Sequence, residues 1–168
     1  MIPTEKIPIA SDFMRSNVHT ISADMPLAEI ITFLLMHEIS NAPVVEAREG
    51  CQRLVGFISE RDCLAGLTNE SFFGSPAPMQ TAGTLMRRHP ICVAPETDLF
   101  ALASIFVSHG YRHLPVTSGD ELLGIVSRRD ILRAVEKYYR KFVSQNSRER
   151  FPPDLHQLMN HRFLVSRK

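Results

Sequence analysis

Tryptophan is absent from this chain of 168 residues, cysteine occurs three times, and lysine only as Lys6, Lys137, Lys141 and Lys168. The lysine gap from residue 7 to 136 excludes a Walker-type phosphate lysine or a Schiff-base amine in the body of the chain. Cys51, Cys63 and Cys92 are odd in number and lack any Cys-x-x-Cys spacing, so a disulfide framework is excluded and a reducing, cytoplasmic setting is expected. Long apolar runs are missing too. The most apolar stretch, 27–36, is ten residues long and contains Glu29, whereas a spanning helix needs roughly 20 apolar residues. No membrane crossing is expected. The first residues, MIPTEKIPIASDF, have no basic start, apolar block and small-residue cleavage site, so secretion is not expected either.

What is present is ordinary for a compact fold: 44% apolar and 22% charged residues, with 19 Lys plus Arg against 18 Asp plus Glu. That length buries a core as one domain or two very small ones, without disulfides or metals. The charge is polarised. Residues 1–134 hold 11 basic and 15 acidic side chains, and residues 135–168 hold 8 basic and 3 acidic.

The dominant feature is an internal duplication. At an offset of 72, Met14-Arg15 matches Met86-Arg87, Leu27 matches Leu99, His37 matches His109, and Pro43-Val44 matches Pro115-Val116. The offset then becomes 68, as from a loop four residues shorter in the second copy, and Leu54, Gly56, Ser59, Arg61, Asp62 and Leu64 match Leu122, Gly124, Ser127, Arg129, Asp130 and Leu132. Leu27, Ile30, Ile31, Leu34 and Leu35 recur at helical spacing, with Asp24 and Pro26 as start signals; Leu99, Leu102, Ala103, Phe106 and Val107 repeat the stripe. Two apolar runs follow each helix, Ala42–Val45 with Leu54–Ile58 and Leu114–Thr117 with Leu122–Val126, and read as hairpin-joined strands. Short strands at Val18–Ser22 and Ile91–Ala94 precede the helices, and a second helix begins after Ser59 and Ser127. Each unit therefore reads β-α-β-β-α, an α+β fold used twice. The prolines Pro43 and Pro115 suit strand starts, where a missing amide donor is tolerated.

The sharpest motif is Gly-h-h-Ser-x-x-Asp, present as Gly56–Asp62 and Gly124–Asp130. One reading is a capping box, with the Ser hydroxyl and an acidic residue three positions on finishing a helix N-terminus. The other starts from the same geometry: free amides and the positive helix end attract phosphate, and a neighbouring carboxylate accepts ribose hydroxyls. Glycine in the preceding strand admits a close backbone or a ligand. A single copy favours the cap; repetition in matching architecture favours the ligand.

With its opening segments Asp12-Phe-Met-Arg15 and Thr84-Leu-Met-Arg87, the strands at Pro43 and Pro115 and both Ser-x-x-Asp motifs, the chain resembles the cystathionine-β-synthase (CBS) domain family in tandem form, the CBS pair or Bateman module, over about residues 12–135. The resemblance implies two repeats packed about a pseudo-twofold axis, with two clefts for adenosine-containing ligands. With residues 68–83, rich in Ser, Thr, Gly and Pro, read as a linker in which Phe72 and Phe73 are candidate anchors, the chain divides into a lead-in (1–11), repeat 1 (12–67), that linker, repeat 2 (84–135) and a basic extension (136–168). By resemblance Asp62 and Asp130 bind ribose, Ser59 and Ser127 lie near ribose or phosphate, and Thr20, Ile21, Ile91 and Val93 hold adenine. It also implies a stand-alone sensor without chemistry of its own, a homodimer, and an unidentified regulated protein.

Arg112, His113, Arg128 and Arg129 are the candidate phosphate contacts, because arginine offers bidentate hydrogen bonds. They belong to the second copy, so a phosphorylated adenine nucleotide (AMP, ADP or ATP) is expected chiefly in the cleft containing Asp130, with the Asp62 cleft weaker, uncharged or empty. S-adenosylmethionine is a further candidate ligand; no cofactor is required. A ligand-independent scaffold with degenerate clefts is the alternative. Metal binding by His109 and His113 is not expected, since Gly110 and Pro115 end the helix between them. The cysteines lack a base for nucleophilic work. Tyr138, Tyr139 and Phe142, interleaved with Lys137, Arg140 and Lys141, are read as a helix docking on its own module or a dimer mate rather than as a nucleic-acid surface.

Overall fold

A computed structural model describes the backbone of residues 6–73 and 80–145; the side chains of 69–73 and 142–145, and with them Phe72, Phe73 and Phe142, lie outside the described residues, as does the chain beyond 145. The elements run α1 (Ala10–Phe13), β1 (Ile21–Ser22), α2 (Leu27–Met36), β2 (Asn41–Arg48), β3 (Cys51–Ser59), α3 (Glu60–Phe73), α4 (Ala82–Leu85), β4 (Arg87–Arg88), α5 (Leu99–His109), β5 (His113–Ser118), β6 (Glu121–Ser127) and α6 (Arg128–Gln145). This is the duplicated α+β unit. Helix α3 carries on through Phe73, into the segment read as linker.

The duplication extends to hydrogen-bond register. Ala42 pairs Ile58 and Val44 pairs Gly56, with a bulge at Val44/Val45; Leu114 pairs Val126 and Val116 pairs Gly124, with a bulge at Val116/Thr117. Both hairpins turn through two residues, Glu49-Gly50 and Gly119-Asp120, so the four-residue difference lies in strand length and not in the loop. Glu49 and Gly50 both take positive φ (41° and 86°), as a tight hairpin turn requires. The opening strands are shorter than the sequence reading. Ile21 pairs Val44 in parallel, and its counterpart is a single bridge from Val93 to Val116.

Two cores result. Leu27, Ile30 and Leu34 of α2 are buried with Ile21, Val44, Ile58 and Cys63, and Leu99, Leu102 and Phe106 of α5 with Val93, Val116, Val126, Ile131 and Tyr138. Leu35 and Val107, read from periodicity as part of the buried stripe, are 71% and 84% exposed, because one further residue turns the side chain about 100° around the helix. Asp98 caps α5 by accepting from the amides of Phe100 and Ala101, whereas the equivalent position of α2 is Pro26.

The repeats exchange their opening segments. Ala10, Phe13 and Met14 pack on the core of repeat 2, and Arg15 exchanges both backbone hydrogen bonds with Ile125 at 3.0 Å. Reciprocally, Ala82, Leu85 and Met86 pack on repeat 1, and β4 pairs Arg87 with Phe57 and Arg88 with Gly56. The motif glycines make this possible. A Cβ at Gly124 would stand 2.8 Å from both Arg15 O and Met14 Sδ, and one at Gly56 would strike Met86. At the hairpin tips β3 and β6 join through Arg53 and Glu121, reinforced by Arg53 Nε to Asp120 at 3.0 Å. Reciprocal contacts of this kind are what a pseudo-twofold relation between repeats produces.

Candidate functional site

Exchange of the opening segments creates two clefts, each built from both repeats. One, of about 550 Å³, holds Asp130 of repeat 2 against Asn17, Val18, His19, Ile39 and Pro43 of repeat 1. The other, of about 440 Å³, holds Asp62 of repeat 1 against His89, Pro90, Ile91, Tyr111 and Pro115 of repeat 2. Those five wall residues correspond one to one at the offset of 72. Both volumes fall within the roughly 300–1,000 Å³ of small-molecule sites.

At the floor of each cleft the Ser-x-x-Asp motif does close a helix N-terminus. Asp130 Oδ2 accepts from the Ser127 amide (2.9 Å) and hydroxyl (2.6 Å), and Asp62 Oδ2 accepts from Ser59 at the same distances. The other carboxylate oxygen faces an arginine supplied by the opposite repeat's opening segment. Arg15 Nη2 donates to Asp130 Oδ1 at 3.2 Å, and Arg87 Nε lies 3.9 Å from Asp62 Oδ1. The capping and ligand readings are therefore compatible: Oδ2 is committed to the helix, and Oδ1 remains for an arginine or a hydroxyl. Burial pushes the Asp130 carboxyl up, but the Ser127 hydroxyl and amide and the Arg15 guanidinium outweigh it and hold the group below the usual carboxylate range. It stays charged at neutral pH.

The clefts share a wall. Asn41 and His113, equivalent positions of the two repeats, meet with Asn41 Nδ2 2.8 Å from His113 Nδ1, and both residues line both clefts. An amide nitrogen only donates, so His113 Nδ1 accepts and the neutral ring carries its proton on Nε2. Burial, with the Arg15 and Arg112 guanidiniums, lowers the His113 pKa from 6.5 against the opposing pull of Asp130.

The phosphate candidates do not assemble where the sequence reading put them. Arg112 lines the Asp62 cleft, where it joins Arg61, Arg87 and Arg88. Arg128 folds back so that its guanidinium donates to the carbonyls of Tyr111 (2.5 Å) and Gly110 (2.6 Å), and Arg129 is exposed and lines neither cleft. Of the adenine candidates only Ile91 reaches a cleft wall. Ile21 and Val93 are core residues, 2% and 6% exposed, and Thr20 borders neither cleft. The residues two before Ile21 and Val93, His19 and Ile91, are those that line the clefts, each just ahead of the short strand or bridge that buries its neighbour. Ser127 is buried beneath its cleft, while Ser59 lines the other. His19, Arg87, Arg88 and Tyr111 line the clefts without having been singled out as site candidates from sequence, although the offset of 72 matches His19 to the candidate Ile91.

His109 ends α5, with Gly110 in the left-handed conformation (φ 68°) as its cap, and His113 stands in β5. They share no helix face. Tyr138 packs edge-on against Phe100 in the repeat 2 core, so α6 docks on its own module there. Among the described residues no helix is long and apolar enough to cross a membrane.

Comparison with known proteins agrees with this geometry. The CBS domain family profile matches twice, at residues 10–69 and 82–137. The chloroplastic CBS domain-containing protein CBSX1 of Arabidopsis thaliana is 27% identical over 158 residues, covering 79% of this chain and 66% of its own length. The chloride channel protein ClC-Ka of Rattus norvegicus is 28% identical over 129 residues, covering 73% of this chain but only 19% of the channel. Among solved structures, CBSX2 in complex with AMP superposes with a TM-score of 0.67 at 26% identity, covering 77% of this chain and 97% of that one.

Proposed function

Since the chain belongs to the CBS domain family, we propose that it is a regulatory module binding an adenine nucleotide, AMP, ADP or ATP, and signalling through a change of shape or partner affinity. The observation that carries this reading is the set of four arginines, Arg61, Arg87, Arg88 and Arg112, around the Asp62 cleft. Neither Arg61 nor Arg112 has an ion-pair or hydrogen-bond partner for its guanidinium among the described residues. Such groups at a helix N-terminus favour phosphate. Asp62 supplies a carboxylate oxygen for ribose, and Ile91, Tyr111 and Pro115 supply apolar surface for the base. The relative CBSX2 holds AMP, which supports the same ligand here. This reverses the weighting from sequence alone, because the arginines stand with Asp62 and not Asp130.

The module carries no catalytic step of its own. The ligand acts by binding one arrangement better than another, since only differential affinity shifts an equilibrium. The exposed apolar residues Leu35 and Leu64 on repeat 1 and Val107 and Leu132 on repeat 2 occupy matching positions. They suit a homodimer joined through helix faces, which then presents the nucleotide-dependent surface to a regulated protein. Three free thiols suit a reducing cytoplasm.

The test is thermal unfolding with rising concentrations of AMP, ADP, ATP and S-adenosylmethionine. Dose-dependent stabilisation by a phosphorylated nucleotide, lost in the Arg61→Ala/Arg112→Ala double variant, is expected. Silence across the panel would overturn the reading in favour of a ligand-independent interaction module.

A further inference from the structure

The two clefts have matching walls but opposite charge. Arg88 and Arg112 of the Asp62 cleft are replaced, at the symmetry-equivalent positions, by Ser16 and Ser40, and Gly110 by Glu38. Arg61 is matched by Arg129, which lies outside the Asp130 cleft, and the Arg128 guanidinium is tied to two backbone carbonyls. The Asp130 cleft is therefore lined by Glu38, Asp130 and Glu60, the last of which borders both clefts; its lining guanidinium, Arg15, is already 3.2 Å from Asp130, and Arg133 stands 3.9 Å from the same carboxylate oxygen. His113, with Nδ1 accepting from Asn41, adds no positive charge. Apolar surface is plentiful, from Val18, Leu34, Ile39, Pro43 and Ile125.

From this asymmetry we propose that the Asp130 cleft is a second site of different specificity, taking an adenosine compound without phosphate whose 5′ substituent is uncharged or cationic. The inference rests on the nucleotide reading of the Asp62 cleft. Wall residues at equivalent positions and an equivalent Ser-x-x-Asp floor offer the base and ribose comparable places in both clefts, although the wall side chains differ. A phosphate in the Asp130 cleft would meet Glu38, which stands where the other cleft has Gly110, with no unpaired arginine among the lining residues to offset it, whereas an uncharged group meets no such repulsion and a cationic one is attracted. The module then responds to two different adenosine compounds at once, one in each cleft.

Calorimetric titration of AMP and adenosine into the whole chain tests this. Protein saturated with AMP is expected to take up one further equivalent of adenosine. Val18→Trp, which fills the Asp130 cleft, should abolish adenosine uptake and leave AMP affinity within about threefold; Ile91→Trp, which fills the other, should do the reverse. Glu38→Lys, on the surface and harmless to the core, should raise AMP stoichiometry from one to two. The inference is overturned if AMP fills both clefts of the unaltered chain, if AMP displaces adenosine mole for mole, or if Glu38→Lys leaves AMP stoichiometry at one. AMP binding with no adenosine uptake overturns it while leaving the nucleotide reading intact, and failure of AMP to bind removes both.

Discussion

At the scale of single residues, the motif aspartates serve two purposes with two oxygens. Oδ2 of Asp62 and Asp130 caps a helix, while Oδ1 faces Arg87 or Arg15. Ribose hydroxyls would compete with those arginines for Oδ1, and a phosphate would give the displaced guanidinium a new partner. His113 supplies a pH-dependent contribution. Its folded pKa lies below the value of 6.5 for an unperturbed ring, for reasons of burial and of Arg15 and Arg112. The folded state therefore binds fewer protons than the unfolded chain in the window just below pH 6.5. Stability from this group is fully present above that pH and is lost as pH falls toward the folded pKa. Urea unfolding from pH 8 to 5.5 is expected to show declining stability in the unaltered chain and a flatter profile in His113→Gln; equal slopes would contradict the assignment.

At the scale of elements, the strand pairs and helices were legible because periodicity and duplication reinforced one another. Leu27, Ile30 and Leu34 and their counterparts Leu99, Leu102 and Phe106 face the cores as their spacing requires. The exchange of opening segments was not legible, since nothing in Met14-Arg15 or Met86-Arg87 specifies which repeat receives it. Yet the requirement was visible in Gly56 and Gly124, whose missing side chains leave room for the crossing backbone. The apolar helix residues left outside are the surface on which the proposed homodimer rests. Leu35, Leu64, Val107 and Leu132 are 71%, 63%, 84% and 69% exposed, so replacing them by Ser removes little from the monomer core. Sedimentation of Leu64→Ser/Leu132→Ser should show monomer where the unaltered chain is a dimer, with an unchanged far-ultraviolet spectrum; persistence of the dimer would place the interface elsewhere.

At the scale of the whole molecule, both clefts arise from placing each repeat's motif against the other repeat's walls. Local spacing singled out Asp62, Asp130 and their serines, and the structure places all four at the cleft floors. The sequence reading misplaced Arg112 because chain proximity to the second motif is not spatial proximity once the segments cross. The same crossing puts Asn41 and His113 at the shared wall, 2.8 Å apart, so the two clefts have one boundary in common. The most direct test of the central claim compares AMP affinity in Asp62→Ala and Asp130→Ala by calorimetry. The account predicts that Asp62→Ala weakens AMP by about tenfold or more, the size of one hydrogen bond to a charged group, while Asp130→Ala, shown to be folded, leaves it nearly unchanged. Loss of AMP binding in Asp130→Ala with full affinity in Asp62→Ala would contradict it.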